Sequence, residues 1–297
     1  MGDRSRPHGD LLARCTFPDA GAPLVCGVSG GADSLALLVL AVAAGCDVTA
    51  VHVDHGLRPG SGSEAALVRE VAARFGAGFR SERVDLAPGP NLEARARAAR
   101  HAVLGPRAAL GHTADDRAET MIVNLLRGAG PDGLASIARG PRHPIVDLRR
   151  AETEAVCAVE GLVPFVDPSN VDPAFVRNRI RREVLPLLAD VADRDPVPIL
   201  VRQADVFASI ADHLRLEAAS IDVDDAAALA DGPVTVARVA VREWLRCDAP
   251  DLHPPDAATV DRVLDVARCR SLATDVGGGR RVERTDMRLR IVPAPTG

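Results

Sequence analysis

Short apolar segments alternate with helical patterns over the first 126 residues of the chain. Strands and helices that alternate at this spacing indicate βαβ units, so we predict an α/β fold with a doubly wound parallel sheet. Ligands of such sheets bind beyond the carboxyl ends of the strands, so the turns after Val28, Val53 and Gly111 should meet in one crevice. Strands are predicted at 24–28, 47–53, 79–84 and 108–111, and helices at 34–44, 63–75, 92–104 and 114–126.

A change of composition at residues 189–198 predicts a domain boundary, because aspartates and prolines interrupt a helical pattern there. We therefore predict a catalytic domain at 1–192 and a smaller, mainly helical domain at 193–297. Two domains fit the length of the chain, since single domains usually contain about 100–200 residues. In the second part, helices are predicted at 199–221, 235–246 and 257–268, and strands within 281–292.

The basic residues of the chain exclude several classes of enzyme. The chain has no lysine, so all 36 basic residues are arginine. A Walker-type phosphate loop, a Schiff-base lysine and a lysine general base are therefore excluded. The formal net charge of −5 argues against general affinity for nucleic acid, although binding depends on where the charges lie.

The cysteines and the apolar runs indicate where the chain works. The six cysteines are scattered without a C-x-x-C pair, which argues against a zinc or iron–sulfur site and indicates a reducing compartment. The chain has no apolar run of the roughly 18 residues that a membrane span needs, and its start does not resemble a signal peptide. We therefore expect a cytoplasmic protein without a membrane partner.

A glycine-rich turn joins the first predicted strand to the first predicted helix, with the sequence Ser29-Gly30-Gly31-Ala32-Asp33-Ser34. Adjacent glycines let the backbone approach an anion closely, and the helix N-terminus and two serines supply donors, so the turn predicts a phosphate site. Asp33 would repel a phosphate unless a divalent cation lay between them, which predicts Mg²⁺ as well. The alternative is a serine-rich turn with an ordinary helix cap.

A second polar segment, His52-Val53-Asp54-His55-Gly56-Leu57, ends the second predicted strand. Backbone groups at such a position can line a nucleotide pocket, and Asp54 or His55 could meet ribose or phosphate. The alternative is a histidine that is satisfied at a strand end.

A third polar segment opens the last predicted helix of the sheet, with the sequence His112-Thr113-Ala114-Asp115-Asp116-Arg117-Ala118-Glu119-Thr120. Asp116 and Glu119 are three residues apart and therefore share a helix face. Acids so near a phosphate site suggest Mg²⁺ ligation or a base that deprotonates an incoming ammonium group. The alternative is a helix cap formed by Asp115, with the other acids favouring the helix dipole.

Taken in order, these motifs resemble one family. S-G-G-x-D-S is typical of the PP-loop ATP pyrophosphatases, which cleave ATP between the α and β phosphates. Within that superfamily, residues 24–188 resemble the tRNA(Ile)-lysidine synthetases in their compact form. The motifs H-V-D-H-G-L, N-L-E-A-R-A-R, H-T-A-D-D-R-A-E-T, D-P-S-N-x-D and R-N-x-I-R follow one another in the family order.

The resemblance implies a fold, a reaction and its substrates. The fold would be an adenine nucleotide alpha hydrolase-like domain that uses ATP and Mg²⁺. The wobble cytidine in the CAU anticodon of tRNA(Ile) would be adenylated at O2. The ε-amine of free L-lysine would then attack C2 and displace AMP. The oligomeric state stays open, with a homodimer as one candidate.

The resemblance also implies roles for the acidic residues. The turn from Ser29 to Ser34 would bind the ATP phosphates. Asp33 and Asp116 would lie near Mg²⁺, and both would be catalytic. Asp116 would be the acid most closely tied to catalysis, helped by His112 and Glu119.

Histidine and arginine side chains complete the implied nucleotide site. His52 and His55 would line the ATP pocket, and Arg97 would face the ATP or the activated cytidine. Planar guanidinium groups suit such a place because they pair with phosphate and stack on bases. The alternative for Arg97 and its arginine neighbours is a solvated helix face.

A local basic run predicts contact with tRNA. Arg177, Arg179, Arg181 and Arg182 lie within six residues, and no acid occurs between Ala174 and Arg182. Such a patch is what contact with an RNA backbone needs, whereas the alternative is a solvated helix.

Two positions depart from the family pattern. Arg100-His101 stands where the family usually has arginine-tyrosine, and His143-Pro144-Ile145-Val146 stands where it often has R-P-L-L. Two other readings remain, namely another PP-loop ligase of the GMP or NAD synthetase type and a relative that binds nucleotide or RNA without turnover. A tRNA thiolase would need paired cysteines, which this chain lacks.

Overall fold

The computed structural model describes residues 8–54, 61–84, 92–166, 172–248 and 255–295. The chain divides into two compact units, Met1–Val206 and Phe207–Gly297. The domain limit predicted at residue 193 stays a prediction. His55 and the D-P-S-N motif at 167–170 lie outside the described residues.

A parallel sheet forms the centre of the first unit. Its strands are β1 (Pro23–Gly27), β2 (Asp47–Asp54), β3 (Gly78–Arg83) and β4 (Ala109–Leu110), in the order β3-β2-β1-β4. All three pairings are parallel, and a helix lies in each connection, so the predicted α/β fold is confirmed. Ala50, Val51 and His52 are buried in succession, as expected for a strand that is covered on both faces.

The helices of the first unit follow the predicted pattern closely. Those between the strands begin and end within a few residues of the predicted limits. The described helices are α1 (Gly9–Leu12), α2 (Ala32–Ala43), α3 (Ser61–Arg74), α4 (Leu92–Leu104), α5 (Ala114–Leu126), α6 (Pro131–Leu134), α7 (Arg150–Val159), α8 (Val176–Arg179), a π-helical turn (Ile180–Val184) and α9 (Leu185–Ala192). The next helix, α10 (Val197–Ala218), contains the boundary between the units.

Helix α2 is buried on nearly every side. Residues 34–41 are all buried, because the sequence is apolar around the whole helix. The helix packs against β1, β2 and α7. Its N-terminus is therefore held firmly beyond the carboxyl end of β1.

The second unit has its own apolar core, built on Val260, Leu264 and Val282. Its helices are α11 (Ala226–Asp231), α12 (Val234–Asp248) and α13 (Ala257–Ala267), which confirms the mainly helical prediction. An antiparallel sheet follows, with β5 (Ala273–Gly277), β6 (Arg280–Thr285) and β7 (Arg288–Pro293) in that order. Among the described helices of the chain, none is both long and apolar enough to cross a membrane.

Candidate active site

A cleft of about 750 Å³ lies at the carboxyl ends of β1, β2 and β4, where the polar turns were expected to meet. The three polar segments of the sequence all contribute to its wall. Of the predicted site residues, the wall contains Ser29, Gly31, Ala32, Asp33, Ser34, His52, His112, Asp116, Arg177 and Arg181.

The glycine-rich turn forms a cradle at the N-terminus of α2. Gly30 has a φ of +84°, a conformation that favours glycine. The Ser34 hydroxyl donates to the Gly31 carbonyl oxygen at 2.9 Å and accepts from the Ser29 amide at 3.1 Å, which fixes the turn. Gly31 is the N-cap of α2 and has no side chain to satisfy the first amides of the helix. These amides and the helix dipole suit a phosphate group.

Gly111 keeps the cradle in this shape from the end of β4. A Cβ atom at Gly111 would lie 2.6 Å from the Asp33 carbonyl oxygen and 3.0 Å from the Ser34 Cα. Since both are backbone atoms, no side-chain movement could relieve the clash. Gly111 was predicted only as a strand end, and this close approach was not predicted.

Asp33 points from the first turn of α2 into the cleft. The Thr153 hydroxyl donates to Asp33 Oδ1, and Arg150 Nε lies 3.6 Å from Asp33 Oδ2. Burial raises the pKa of Asp33 to about 6, against the lowering effect of Thr153 and Arg150 and with a further rise from the Asp116 charge. The carboxylate is thus held where its charge is costly unless a cation stays beside it.

Asp116 is fixed by a capping box at the start of α5. Thr113 is the N-cap, and both its amide and its hydroxyl donate to Asp116 Oδ2 at 2.9 Å. The alternative cap formed by Asp115 is therefore wrong. Asp115 accepts instead from the Arg150 amide at 2.8 Å and from the Arg149 guanidinium at 3.0 and 3.1 Å.

Glu119 is fully buried behind Asp116 and holds Arg181 in place. Arg181 Nε and Nη2 donate to its two carboxylate oxygens at 2.7 and 3.0 Å, which is the bidentate geometry of a strong pair. Arg177 lies beside this pair and donates to the Thr120 hydroxyl at 2.9 Å. A carboxylate that is so occupied anchors cations rather than accepting protons from substrate.

Arg150 brings the three predicted acids together. Its Nη2 lies 3.1 Å from Asp116 Oδ1, its Nη1 lies 3.1 Å from Glu119 Oε1, and its Nε faces Asp33. Arg150 was not among the predicted site residues. An arginine in the first turn of a helix opposes the helix dipole, and that mismatch is the signal that could have found it.

The predicted histidines take two different places. His52 is buried, with Nδ1 3.0 Å from the Val28 carbonyl oxygen, and its Nε2 has no hydrogen-bond partner within the described ranges. His112 lies in the cleft wall with its Nδ1 3.0 Å from Nδ1 of His143, one of the two departures from the family pattern. The predicted roles of His55 and of the Arg97 side chain fall outside the described part of the chain.

The four arginines predicted to contact tRNA lie in two different settings. Arg177 and Arg181 line the cleft. Arg179 is exposed and pairs with Glu183 at 2.8 Å, four residues along the helix, and Arg182 is exposed as well. The basic run is therefore divided between the cleft and the outer surface.

Asp33 and Asp116 fit a magnesium ion that arrives with a nucleotide. Each has one carboxylate oxygen near the same guanidinium group, so the two carboxylates already share one cation. The described residues contain no group of three or more histidine, cysteine or acidic side chains arranged for a metal. Mg²⁺ typically uses one or two carboxylates together with phosphate oxygens and water, so two suffice here.

The chain is similar to known proteins over most of its length. Residues 11–188 match the family model of a PP-loop domain. The chain is 40% identical to the tRNA(Ile)-lysidine synthase of Nocardia farcinica, over 89% of this chain and 88% of that protein. It is 39% identical to the tRNA(Ile)-lysidine synthase of Rhodococcus jostii, over 85% of this chain and 82% of that protein.

A solved structure supports the fold alone. The U34-tRNA thiolase NcsA from Methanococcus maripaludis superposes with a TM-score of 0.51 at 15% identity, over 66% of this chain and 76% of the thiolase. That protein carries a [4Fe-4S] cluster, whereas the six cysteines here are all free. From the matched domain, the relatives and the site, this chain belongs to the tRNA(Ile)-lysidine synthase family of PP-loop enzymes.

Proposed function

We propose that this chain is a tRNA(Ile)-lysidine synthase that uses ATP to join free L-lysine to the wobble cytidine of a CAU anticodon. The cytidine O2 attacks the α phosphorus of ATP, and diphosphate leaves. The ε-amine of lysine then attacks C2, AMP leaves with the C2–O2 bond broken, and the amine loses a proton. The single observation that carries the proposal is the convergence of the phosphate cradle, Asp33 and Asp116 on one cleft, where Arg150 also reaches the buried Glu119.

The first step needs donors for the ATP phosphates and a place for the leaving diphosphate. The cradle at the N-terminus of α2 supplies the donors, and Gly31, which lines the cleft, places no side chain over them. Arg177 and Arg181 line the same cleft. Because arginine is always charged, they can stabilise a departing diphosphate at any physiological pH.

The acids serve both steps. Mg²⁺ bound with ATP by Asp33 and Asp116 would neutralise charge on the phosphates. Asp116 is the proposed acceptor of the proton of the attacking amine, since it lines the cleft whereas Glu119 is buried behind it. His112, in the same wall, is a second candidate for that proton.

The proposed substrates are ATP, free lysine and a tRNA, all present in the cytoplasm, where we propose that the enzyme works without a membrane partner. Arg179 and Arg182 are the exposed cations nearest to the cleft arginines in sequence, and they are proposed to contact the tRNA backbone. A homodimer stays a prediction that sedimentation would check.

The test is incubation with ATP, Mg²⁺, radiolabelled lysine and a tRNA(Ile) transcript with a CAU anticodon. We expect label in the RNA, and we expect Asp116→Asn to reduce the rate by at least about 100-fold. Asp190→Asn is the matched control, because Asp190 is an exposed carboxylate on α9 that does not line the cleft.

Three results would contradict the proposal. Lysine incorporation into small molecules without tRNA would identify an amide or nucleotide ligase. Binding of ATP and tRNA without any turnover would identify a non-catalytic relative. Full activity of Asp116→Asn would remove the chemical role of the acid group.

A further inference from the structure

In Asp33 and Asp116, one carboxylate oxygen accepts hydrogen bonds from a threonine and the other faces Arg150. Asp33 Oδ1 accepts from the Thr153 hydroxyl, and Asp116 Oδ2 accepts from the Thr113 amide and hydroxyl. The remaining oxygens, Asp33 Oδ2 and Asp116 Oδ1, are the two that face Arg150 at 3.6 and 3.1 Å. A divalent cation held by this pair must therefore use the oxygens that now face the guanidinium group.

Glu119 is a further partner of Arg150, in addition to the two aspartates that would bind a metal. Its carboxylate is fully buried, and it binds both Arg150, at 3.1 Å, and Arg181, at 2.7 Å. A buried carboxylate retains its cations, because their removal would leave an uncompensated buried charge. Arg150 can thus leave the two aspartates and still keep one partner.

Asp33, Asp116 and Glu119 form an acid cluster. We infer that Arg150 is the resident counter-cation of this acid cluster. A divalent metal binds by displacing the Arg150 guanidinium group from the two aspartates, while Glu119 retains Arg150. The inference rests on the proposed function only in taking the metal to be the one that accompanies ATP. The guanidinium group and the metal repel each other and compete for the same two oxygens. Free metal therefore binds weakly, and the nucleotide phosphates supply the missing ligands.

The test measures metal binding alone, without nucleotide, tRNA or lysine. Mn²⁺ serves as the probe, since the loss of its free electron paramagnetic resonance signal reports binding directly. We expect Arg150→Gln to bind Mn²⁺ about 10-fold more tightly than the unsubstituted protein, because the competing charge is gone. Asp33→Asn added to Arg150→Gln should abolish the gain, which assigns the tighter binding to this cluster.

Arg149→Gln is the matched control. Arg149 precedes Arg150 in the chain but pairs with Asp115 and Asp195 rather than with the acid cluster. Its substitution should leave Mn²⁺ affinity unchanged. A similar gain in Arg149→Gln would mean that general loss of positive charge, and not displacement, explains the result and would overturn the inference.

Arg150→Gln removes a charge from beside three carboxylates, so Arg150→Lys is the second variant in case the first does not fold. A lysine ammonium group keeps the positive charge but cannot bridge three acids as a guanidinium fork does, so Mn²⁺ should bind more tightly than to the unsubstituted protein and less tightly than to Arg150→Gln. Unchanged or weaker Mn²⁺ binding in the folded variants would overturn the inference. Failure of the proposed function would appear separately, as absence of labelled tRNA with metal binding as described.

Discussion

Asp33 and Asp115 lie on either side of the first turn of α7, yet their surroundings shift their pKa values in opposite directions. Burial raises the pKa of Asp33 to about 6. Burial also opposes ionisation of Asp115, but the hydrogen bonds and charges of Arg149 and the Arg150 amide outweigh it and lower the pKa of Asp115. The raised pKa of Asp33 is typical of a functional carboxylate, whereas Asp115 holds the helix that carries Arg150.

Asp33→Asn should stabilise the ligand-free protein at pH 8. A raised pKa means that folding favours the protonated acid, so the stability that Asp33 provides is present below pH 4 and is lost as the pH rises through about 6. Asparagine cannot ionise, so the variant avoids that loss. Its free energy of unfolding should exceed that of the unsubstituted protein by roughly 2 kcal/mol at pH 8 and by almost nothing near pH 4. Urea unfolding at both values of pH measures the difference, and a variant that is less stable at pH 8 would contradict it.

Asp115→Asn should do the reverse. A lowered pKa means that the ionised acid stabilises the fold above its ordinary pKa, and that this stability is lost as the pH falls through the lowered value. The variant should lose about 1–3 kcal/mol at pH 8, and the loss should shrink as the pH falls below about 4. The same urea series applies, and equal loss at both ends of the pH range would rule out the charge as its cause.

Elements α5 and α10 of the first unit are joined by a buried arginine that has an exposed counterpart. Arg117 of α5 is 2% exposed and Arg139 is 44% exposed, and both contact Asp147 and Asp205. Arg117→Gln should lower the free energy of unfolding by roughly 2–4 kcal/mol, because a buried partner is lost. Arg139→Gln should cost less than about 1 kcal/mol, as exposed pairs do. Similar losses in chemical denaturation would mean that burial does not decide the effect.

Gly111, which follows β4, lies close to the backbone of the phosphate cradle, so a side chain there would displace that backbone. Gly111→Ala should destabilise the protein by about 1–3 kcal/mol and weaken ATP binding, because its Cβ would push on the backbone of Asp33. Gly130→Ala is the control, since its φ is −78° and no atom lies within 4 Å of the added carbon. Calorimetric titration with ATP should separate the two, and undiminished ATP affinity in Gly111→Ala would show that the cradle can shift freely.

The elements that sequence reasoning predicted well are those with strong local patterns. The limits of α4 and α5 are the same as predicted, because each has a clear polar start and an apolar face. Strand β5 was missed because its residues 273–277 have no regular apolar alternation and depend on pairing with β6. Local sequence carries no information on such pairing.

The candidate site shows the same division. The cradle and the acids were found because their chemistry is written in short motifs, whereas Arg150 belongs to no motif that was singled out. Its role depends on α7 packing against α2, a long-range contact. The separation of Arg179 from Arg181 follows from helix geometry, because residues two apart do not share a face whereas Arg177 and Arg181, four apart, do.

Across the whole molecule, reagents that attack amines and reagents that attack arginine should have opposite effects. The chain has 36 arginines and no lysine. Acetylation with an amine-directed reagent, removed before the assay, should leave tRNA labelling within about twofold of the control, since only the N-terminus can react. Phenylglyoxal should inactivate the enzyme, and ATP should protect it. Strong inactivation by acetylation would mean that the N-terminal amine is needed.

The cations of the cleft wall bear on how the enzyme treats a reactive intermediate. Every permanently charged cation in its described lining is arginine, namely Arg100, Arg150, Arg177 and Arg181. A guanidinium group does not lose its proton in proteins and is therefore a poor nucleophile. If an activated cytidine waits in this cleft for an amine, no amine side chain of the enzyme can compete with the free amino acid for it, because the chain has no lysine.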